Sequence, residues 1–539
     1  MNNEERPVEI FNLPSTGSNW NEDGSLFTFT CGRFVYDQER QMALRTVWFD
    51  MNQLARIAAS SIGADRCMHL QKCPDGIYNK AYIFRIDDGR EVIGKLLNPN
   101  AGLPHYTTAS EVATMDYMRS VLATPTPRVL AWDSRAESNA VGAEYIIMEK
   151  AEGVPLSEVW GNLGYPERAT LLRQVFRIMR RWLANPLPGH GGLYYAGDVQ
   201  SNMSLPVPTG PTDLSDRQFV NGPAVGRDWC DADRKGPDCD RGPWTSALDY
   251  RRAIGARERA AVENLPGDTK QLVMLTGPRL YQPSPSEKLW AINAYLQVLG
   301  HVLPSKSDLS SEDMLLSRLW HDDLHDENIF NPAELTEVTA IIDWQSTQAV
   351  PLFDHYPEPA FLEYEGPDLG EDLEKPGALR TEGLTDSEKA AATKEYFERI
   401  NPVQYQAIKF QNTTAGHVLH VARRAYEVGE AHLSSLIMLE LRDKWPAPDG
   451  CSDFPVALLS EDEERIKRDV DEADQGATLV RQMKAQMGWW WPEKGLVEHD
   501  AYDETKALLT RHRDEIAREC FGDDEFARES FLRDWPFET

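Results

Sequence analysis

His321, Asp323, Asn328 and Asp343 share one stretch of the chain, LWHDDLHDENIFNPAELTEVTAIIDWQ, from Leu319 to Gln345. The pattern is H-x-D-x4-N, followed fifteen residues later by an Asp that closes an apolar run. Phosphoryl transfer from a nucleotide requires such a set. One carboxylate accepts the proton of the attacking hydroxyl, while an Asn and a second carboxylate hold the Mg²⁺ ions that bridge the phosphates. Asp323 and Asn328 are close enough in sequence for one loop to turn both side chains toward one phosphate. Val338–Ile342 is apolar and β-branched, which predicts a buried strand that fixes Asp343 at its end. A carboxylate in that place is best tolerated when a metal neutralises it. The alternative is an ordinary loop His among surface acids, and the joint spacing of four groups disfavours it.

The first half of the chain supplies the remaining groups of such a site. Lys95, in the context VIGK, falls on the second strand of a hairpin and precedes Glu111, at the start of a helix, by sixteen residues. A lysine paired with nucleotide phosphates and held by a helix Glu has this arrangement, although a lone Lys on a strand is more often a surface residue. The preceding turn, KCPDGIYNKA from Lys72 to Ala81, holds a single glycine. It is either a plain turn or a phosphate-covering loop in which backbone N–H groups around Gly76, with Asn79, approach phosphate oxygens. Tyr145–Met148 runs into Glu149 and a short link ending at Gly153. Met148 and Glu149 can present backbone groups to an adenine edge, or the segment is a simple connection.

The elements that must position these groups follow from periodicity. FDMNQLARIAASS (49–61) reads as an amphipathic helix with Asp50 or Asn52 as N-cap. Ala81–Ile86 and Glu91–Leu97 alternate around an Asp87–Arg90 turn, a helix follows at about 110–120, and 129–132 and 144–148 read as two more strands. Residues 60–150 therefore predict a small, mainly antiparallel sheet with one helix. From Arg168 onward the pattern is mostly helical, interrupted by Pro- and Gly-rich stretches at 186–245 and 365–385. Residues 1–40 read as an extended arm, and the acidic run Glu461–Glu464 as a solvated helix face. Trp489–Trp491 either packs a C-terminal helix or stacks on a ligand; packing is the expectation.

Composition narrows the partners. The 539 residues are 41% hydrophobic and 26% charged, with 86 acids against 56 bases for a net charge of −30. That balance opposes nucleic-acid and anionic-membrane partners, so any nucleotide pocket must be locally basic. No run of eighteen apolar residues is present, so membrane insertion is not expected. Seven cysteines without a C-x-x-C pair fit a reducing compartment, and Cys230 with Cys239 lacks a second ligand pair for zinc. The N-terminal residues resemble neither a signal nor a transit peptide, so a cytoplasmic location is expected.

With these residues in hand, the chain resembles the aminoglycoside phosphotransferase and choline kinase-like family and, within it, a large fungal branch associated with mitochondrial inheritance. The resemblance is carried by SLFTFTCGRFVYDQERQMALRTVWFDMNQLARIAA (25–59), ASEVATMDYMRS (109–120), YIIMEKAEGVPLSEVW (145–160), VNGPAVGRDWC with DRGPWTSALDY (220–250) and HDDLHDENIF with IIDWQ (321–345). It implies an α+β, two-lobed, protein-kinase-like fold with ATP in the cleft. The expected units are an arm (1–48), a small antiparallel β lobe with one helix (49–150), a large helical lobe (151–360) and a C-terminal helical extension (361–539). It further implies Asp323 as base, Asn328 and Asp343 as Mg²⁺ ligands, His321 as brace of the catalytic loop, Lys95 on the phosphates and Glu111 as its partner. The fungal branch adds a mitochondrial location as the alternative.

Two departures stand out. Asp322 occupies a position where the family usually has Gly, and an extra carboxylate there would raise the pKa of Asp323 or bind a substrate cation. The turn around Gly76 is poor in glycine. Two functions fit the whole: an ATP- and Mg²⁺-dependent phosphotransferase acting on a small-molecule hydroxyl, or a non-catalytic kinase-like scaffold. The complete Lys, Glu, Asp, Asn, Asp set favours the enzyme. No A-P-E mark follows Asp343, which disfavours a protein substrate. The acceptor would sit between the 186–245 insertion and the C-terminal helices. Net charge points to a cationic or neutral acceptor such as an amino sugar or amino alcohol.

Overall fold

Alternating apolar residues along 79–97 build the centre of an antiparallel sheet. In a computed structural model, which describes residues 19–209, 218–265, 284–304, 309–332, 336–356, 385, 402–445, 454–457, 460–522 and 524–538, the small lobe begins with β1 (Arg33–Phe34), α1 (Gln38–Ala43) and α2 (Met51–Ser60). It continues through β2 (Cys67–Lys72), β3 (Asn79–Ile86), β4 (Glu91–Leu97), α3 (Tyr106–Ser120), β5 (Val129–Asp133) and β6 (Tyr145–Glu149). Strands β2 to β6 form one five-stranded sheet in the order β2-β3-β4-β6-β5, every neighbouring pair antiparallel.

Period two gives this sheet two faces. Val92 and Leu96 of β4 and Ile147 of β6 pack with Met51, Leu54, Ala55 and Ala58, the buried stripe of α2. Ile146 and Met148 pack with Val112, Ala113 and Met115 of α3 on the other face. Lys95 stands on the α3 face, opposite in sense to Val92 and Leu96. The hairpin turn and strands match the sequence expectation, and α2 is capped by Asp50, whose carboxylate accepts the Gln53 N–H at 3.1 Å.

The larger lobe begins with β7 (Val154–Pro155), α4 (Leu156–Trp160), α5 (Tyr165–Leu183), β8 (Gly192–Tyr195), β9 (Leu205–Pro206) and β10 (Phe219–Gly222). Then come α6 (Ala247–Asn264), α7 (Pro285–Val302), α8 (Leu309–Leu315), β11 (Ser317–Leu319), β12 (Ile329–Asn331), β13 (Ala340–Ile341) and β14 (Ala349–Pro351). Helices α9 (Pro402–Gln411), α10 (Thr414–Ala422) and α11 (Glu430–Ser435) complete its body. The chain ends in α12 (Ser460–Met487), β15 (Leu496–Val497), α13 (Tyr502–Phe521) and α14 (Glu525–Asp534). Fully buried Trp182, Trp320 and Trp344 meet edge to face at 5.3 and 5.7 Å, beneath the segment that carries the acidic residues.

Four expectations are corrected. Helix α3 starts at Tyr106, four residues early. The Glu144 carboxylate accepts both the His105 N–H and the Thr108 hydroxyl and caps the helix from a distant segment. The strand before Asp343 is only two residues, because the Val338 N–H goes to Gln174 at 3.1 Å and Asp343 turns left-handed at φ 60°. Within 186–245, β8, β10 and β9 form a three-stranded sheet. The N-terminal stretch, where described, is no extended arm: Leu26 and Phe27 join the core of the small lobe, and β1 pairs with β15. The 365–385 stretch lies outside the described residues except Thr385.

A buried ion triad explains why that stretch folds back. Asp75, its side chain fully buried, accepts from Lys72 at 2.7 Å and Lys80 at 2.9 Å, and also from the Thr30 N–H and hydroxyl. Lys72 donates on to the carbonyls of Ser25 and Thr28, and Lys80 to that of Thr28. At the other end, Trp490 and Trp491 pack against a cluster of Val35, Met483, Met487 and Phe537, while Trp489 stays exposed. Glu461 and Glu464 lie exposed in the first turn of α12.

Asp75→Ala strands two buried ammonium groups. The expected cost is about 3–5 kcal/mol, read as a lower melting temperature of the full chain, and an unchanged melt would contradict the triad's role.

Candidate active site

Lys95 is 7% exposed, and an ammonium that deep needs partners. Its Nζ lies 2.6 Å from Glu111 Oε1 and 2.6 Å from Asp343 Oδ1. Glu111 stands in the second turn of α3, on the face turned to β4, and is itself buried. Burial alone would push the Lys95 pKa down, but the charges of Asp343 and Glu111 outweigh it and hold the group above its ordinary value. Burial likewise pushes the Glu111 carboxyl up, against the pull of Lys95. Three separate parts of the chain thus meet on one ammonium.

The acidic segment is shaped by short pairings. β11 pairs with β14, and β12 pairs with both β13 and β7. Between β11 and β12 the backbone turns through His321 and Asp323 and enters a short 3₁₀ turn at Asp326–Asn328. The buried His321 donates from Nε2 to the Ile342 carbonyl at 2.8 Å and sets its ring edge against Trp344 at 4.7 Å. Burial lowers the His321 pKa, so the ring is neutral at pH 7. It joins the Asp323 turn to the residue just before Asp343, whose left-handed backbone turns its carboxylate back to Lys95.

Asp323 projects outward, its side chain 72% exposed, while Asn328 is buried and donates from Nδ2 to the Asp323 carbonyl at 3.0 Å. His325 links the two: Nε2 lies 3.6 Å from Asp323 Oδ2 and 3.1 Å from Asn328 Nδ2. The sequence reading passed over His325. Its signal was its place inside the motif, three residues before Asn328. The His325 contact lowers the Asp323 pKa, and Lys494 adds a smaller pull in the same direction. Asp323 in turn raises the pKa of His325. The carboxylate is therefore ionised and ready to accept a proton at neutral pH.

Asp322 does not act on its neighbour in the expected way. Its carboxylate turns away and accepts from His355 Nδ1 and the Tyr356 N–H, each at 3.0 Å. His355 in turn donates to the Arg318 carbonyl from Nε2 at 2.9 Å. The extra acid fastens the segment after β14 to the catalytic turn, and Asp323 falls in pKa instead of rising.

The phosphate and adenine candidates are placed less tightly. Gly76 spends its N–H on the Asn79 carbonyl at 3.1 Å, and a Cβ at that position would lie 3.0 Å from Asn79 Oδ1. Asn79 reaches over the cleft to Gln345 Oε1 at 3.3 Å, two residues past Asp343. Met148 and Glu149 lie inside β6, and the Glu149 N–H donates to Arg128 O at 3.0 Å, so that group is not open to a base edge. The link itself is drawn against the site. At Gly153, φ is +95° and a Cβ would fall 2.2 Å from the Asn331 carbonyl, so only glycine passes there.

Asn328 and Asp343 suit a hard divalent cation bound together with phosphates. With Nδ2 of Asn328 committed to the Asp323 carbonyl, the amide oxygen is left as a donor atom, and Asp343 supplies a carboxylate that is one-third exposed. Magnesium takes few protein ligands and leaves the rest to phosphates and water. Among the described residues no cluster of three or more His, Cys, Asp or Glu forms a self-sufficient metal site, the Cys230–Cys239 region included.

A family model for the phosphotransferase enzyme family matches residues 69–353, more than half of the chain. The chain belongs to this family. Its two-lobed, kinase-like fold and small antiparallel sheets agree with the sequence expectation. Phosphotransferase-family relatives differ in what their names record. The chain is similar to a subtelomeric hrmA-associated cluster protein of Aspergillus fumigatus, 31% identical over 58% of this chain and 66% of that protein. It is also similar to altered inheritance of mitochondria protein 9, mitochondrial, of Candida tropicalis, 25% identical over 54% of this chain and 49% of that protein. The chain thus spans about two thirds of the first relative's length and half of the second's. A solved ternary complex of a thermostable aminoglycoside phosphotransferase mutant with AMP-PNP and hygromycin B aligns over 71% of this chain and 97% of its own, at 14% identity and a TM-score of 0.35. No described helix is long and apolar enough to cross a membrane.

The His325–Asp323 contact has a measurable sign. A His whose pKa rises on folding contributes stability below its unfolded value of about 6.5, and that contribution is lost as pH climbs through the folded value. By NMR titration, the His325 midpoint should lie above 6.5 and fall back in Asp323→Asn; equal midpoints in the two proteins would remove the contact.

Proposed function

We propose that the chain is an ATP- and Mg²⁺-dependent phosphotransferase acting on a hydroxyl of a small molecule. The observation that carries this reading is Lys95, shared by Glu111 and Asp343 at 2.6 Å each, next to a turn that exposes Asp323. Asp323 orients the acceptor hydroxyl and takes its proton as the oxygen bonds to phosphorus and the bond to the departing ADP oxygen breaks. The proton then passes from Asp323 to solvent. His325 keeps Asp323 ionised, and His321 fixes the turn against Asp343. Lys95 would pair with phosphate oxygens of a bound nucleotide, Asp343 would help hold the metal, and Glu111 keeps the ammonium in place. Mg²⁺, held by Asn328 and Asp343, neutralises the phosphate charge when bound. Such a site works by positioning and charge neutralisation more than by covalent chemistry.

A second reading keeps the fold and drops the turnover: a kinase-like scaffold, linked to mitochondrial maintenance through the relatives' names. One observation favours it, the glycine-poor turn whose Gly76 N–H is already spent on Asn79. Against it, Asp322 is tied to His355 and leaves Asp323 free. A cytoplasmic or a mitochondrial location suits either reading.

Calorimetry separates the two. Mg²⁺–ATP should bind the wild type and fail to bind Asp343→Ala. Asp323→Asn should keep nucleotide binding and lose turnover by about 10²–10⁴-fold. Absence of Mg²⁺-dependent binding in the wild type would defeat the kinase reading. Full biological effect in Asp323→Asn would select the scaffold.

A further inference from the structure

A cavity of about 280 Å³ lies between segments of the two lobes. Six segments wall it: α1 with its flanks, Ile77 and Tyr78 from the turn between β2 and β3, Asn100 after β4, the 227–235 stretch, Arg424 and Glu427 after α10, and Lys494 just before β15. Six cations line it, Arg40, Arg45, Arg227, Lys235, Arg424 and Lys494, against three carboxylates, Asp231, Asp233 and Glu427. In a chain of net charge −30 this excess is local to the cavity.

The carboxylates are already engaged. Asp233 takes Arg40 at 2.7 Å and Asp231 takes Arg227, while Glu427 is shared by buried Arg234 and by Arg424 at 3.4 Å. Arg45, Lys235 and Lys494 have no carboxylate partner among the described residues. Lys235 donates only to the Pro99 carbonyl, at 3.1 Å. Arg45 is 5% exposed, its Nη1 spent on Gln41 and its Nε without a partner. The Nε of Arg227 is buried and unpartnered too. Arg45 also lies over the Phe34 ring at 4.2 Å and Arg227 over the Tyr78 ring at 3.5 Å, so neither guanidinium has its charge fully met by carboxylates.

Two of its lining residues lead toward the candidate site. Lys494 lines it and also acts on the Asp323 carboxyl. Its backbone is held left-handed at φ 52°, with the Gly495 carbonyl accepting the Val35 N–H at 2.9 Å and β15 paired to β1. Tyr78 adjoins Asn79, which bridges to Gln345 beside Asp343.

We propose that this cavity receives the acceptor and that the acceptor is an anion, a small hydroxyl-bearing molecule with a carboxylate or phosphate group held by Lys494, Arg45 and Lys235. The proposal rests on the phosphotransferase reading for the group transferred. It places the acceptor between the insertion and the C-terminal segments, as the sequence suggests, but reverses the acceptor charge drawn from the net balance. Global charge acts through screening solvent, whereas these cations act at contact.

The test uses the full chain saturated with Mg²⁺ and AMP-PNP, so that the nucleotide cleft is filled, at constant ionic strength. Sulfate is titrated by calorimetry into wild type, Lys494→Glu and Lys235→Glu, with thermal melts as the folding control. Sulfate should bind the wild type and lose affinity by about tenfold or more in Lys494→Glu. Glycerate and glycerol phosphate, titrated the same way, tell a carboxylate from a phosphate pocket by the tighter binder. No sulfate binding, an unchanged affinity in Lys494→Glu, or binding of glucosamine in place of the anions would overturn the proposal. If AMP-PNP fails to bind, the kinase reading falls, and the same titrations on the free chain still decide the anion pocket.

Discussion

A buried ammonium that needs two carboxylates constrains the rest of this structure. Lys95 can stay charged at 7% exposure only while Glu111 and Asp343 both reach it, because a single buried charge left alone costs several kcal/mol. That demand fixes the register of β4 in its sheet, the rotation of α3 about its axis, and the closeness of the lobes. It also explains the left-handed turn at Asp343. A right-handed residue there would carry the carboxylate elsewhere, so strain at one residue is accepted for the sake of the pair. The His321 bond to Ile342 and the three buried tryptophans then hold the turn rigid from below.

Local patterns made much of this legible. The period-two alternation of Ala81–Leu97 and the helical stripe of 51–59 state their faces directly, so the sheet, its hairpin and α2 were readable with the placement of Lys95. Spacing marked Asp323, Asn328 and Asp343 as candidates, and the fold brings the Asp323 turn, Asn328 and Asp343 together through His321 and Lys95. What escaped was set by partners distant in sequence. The start of α3 depends on Glu144, the folding of the N-terminal stretch on Asp75, and the harmless posture of Asp322 on His355. None of these pairings leaves a trace in a window of neighbouring residues. His325 was hidden differently: it lies in plain view within the motif, but its weight appears only once it is seen between Asp323 and Asn328.

Charge shows the same divide between the whole and the local. A balance of 86 acids to 56 bases describes the surface a distant ligand meets, and it says little of a cavity whose walls come from six segments. Two of those walls, α1 and Lys494, come from the chain's two ends, joined by β1 and β15. On the proposed reading, Lys95, Glu111, Asp323, Asn328 and Asp343 would serve any hydroxyl. Selection among hydroxyls would then fall to the cavity, where α1 and Lys494 bring cations. A short pairing of two residues on each side, with the Arg33 guanidinium stacked 3.5 Å from the Tyr502 ring, thus ties two walls of the cavity together, so that the acceptor pocket proposed there and the packing of both segments would depend on the same contact.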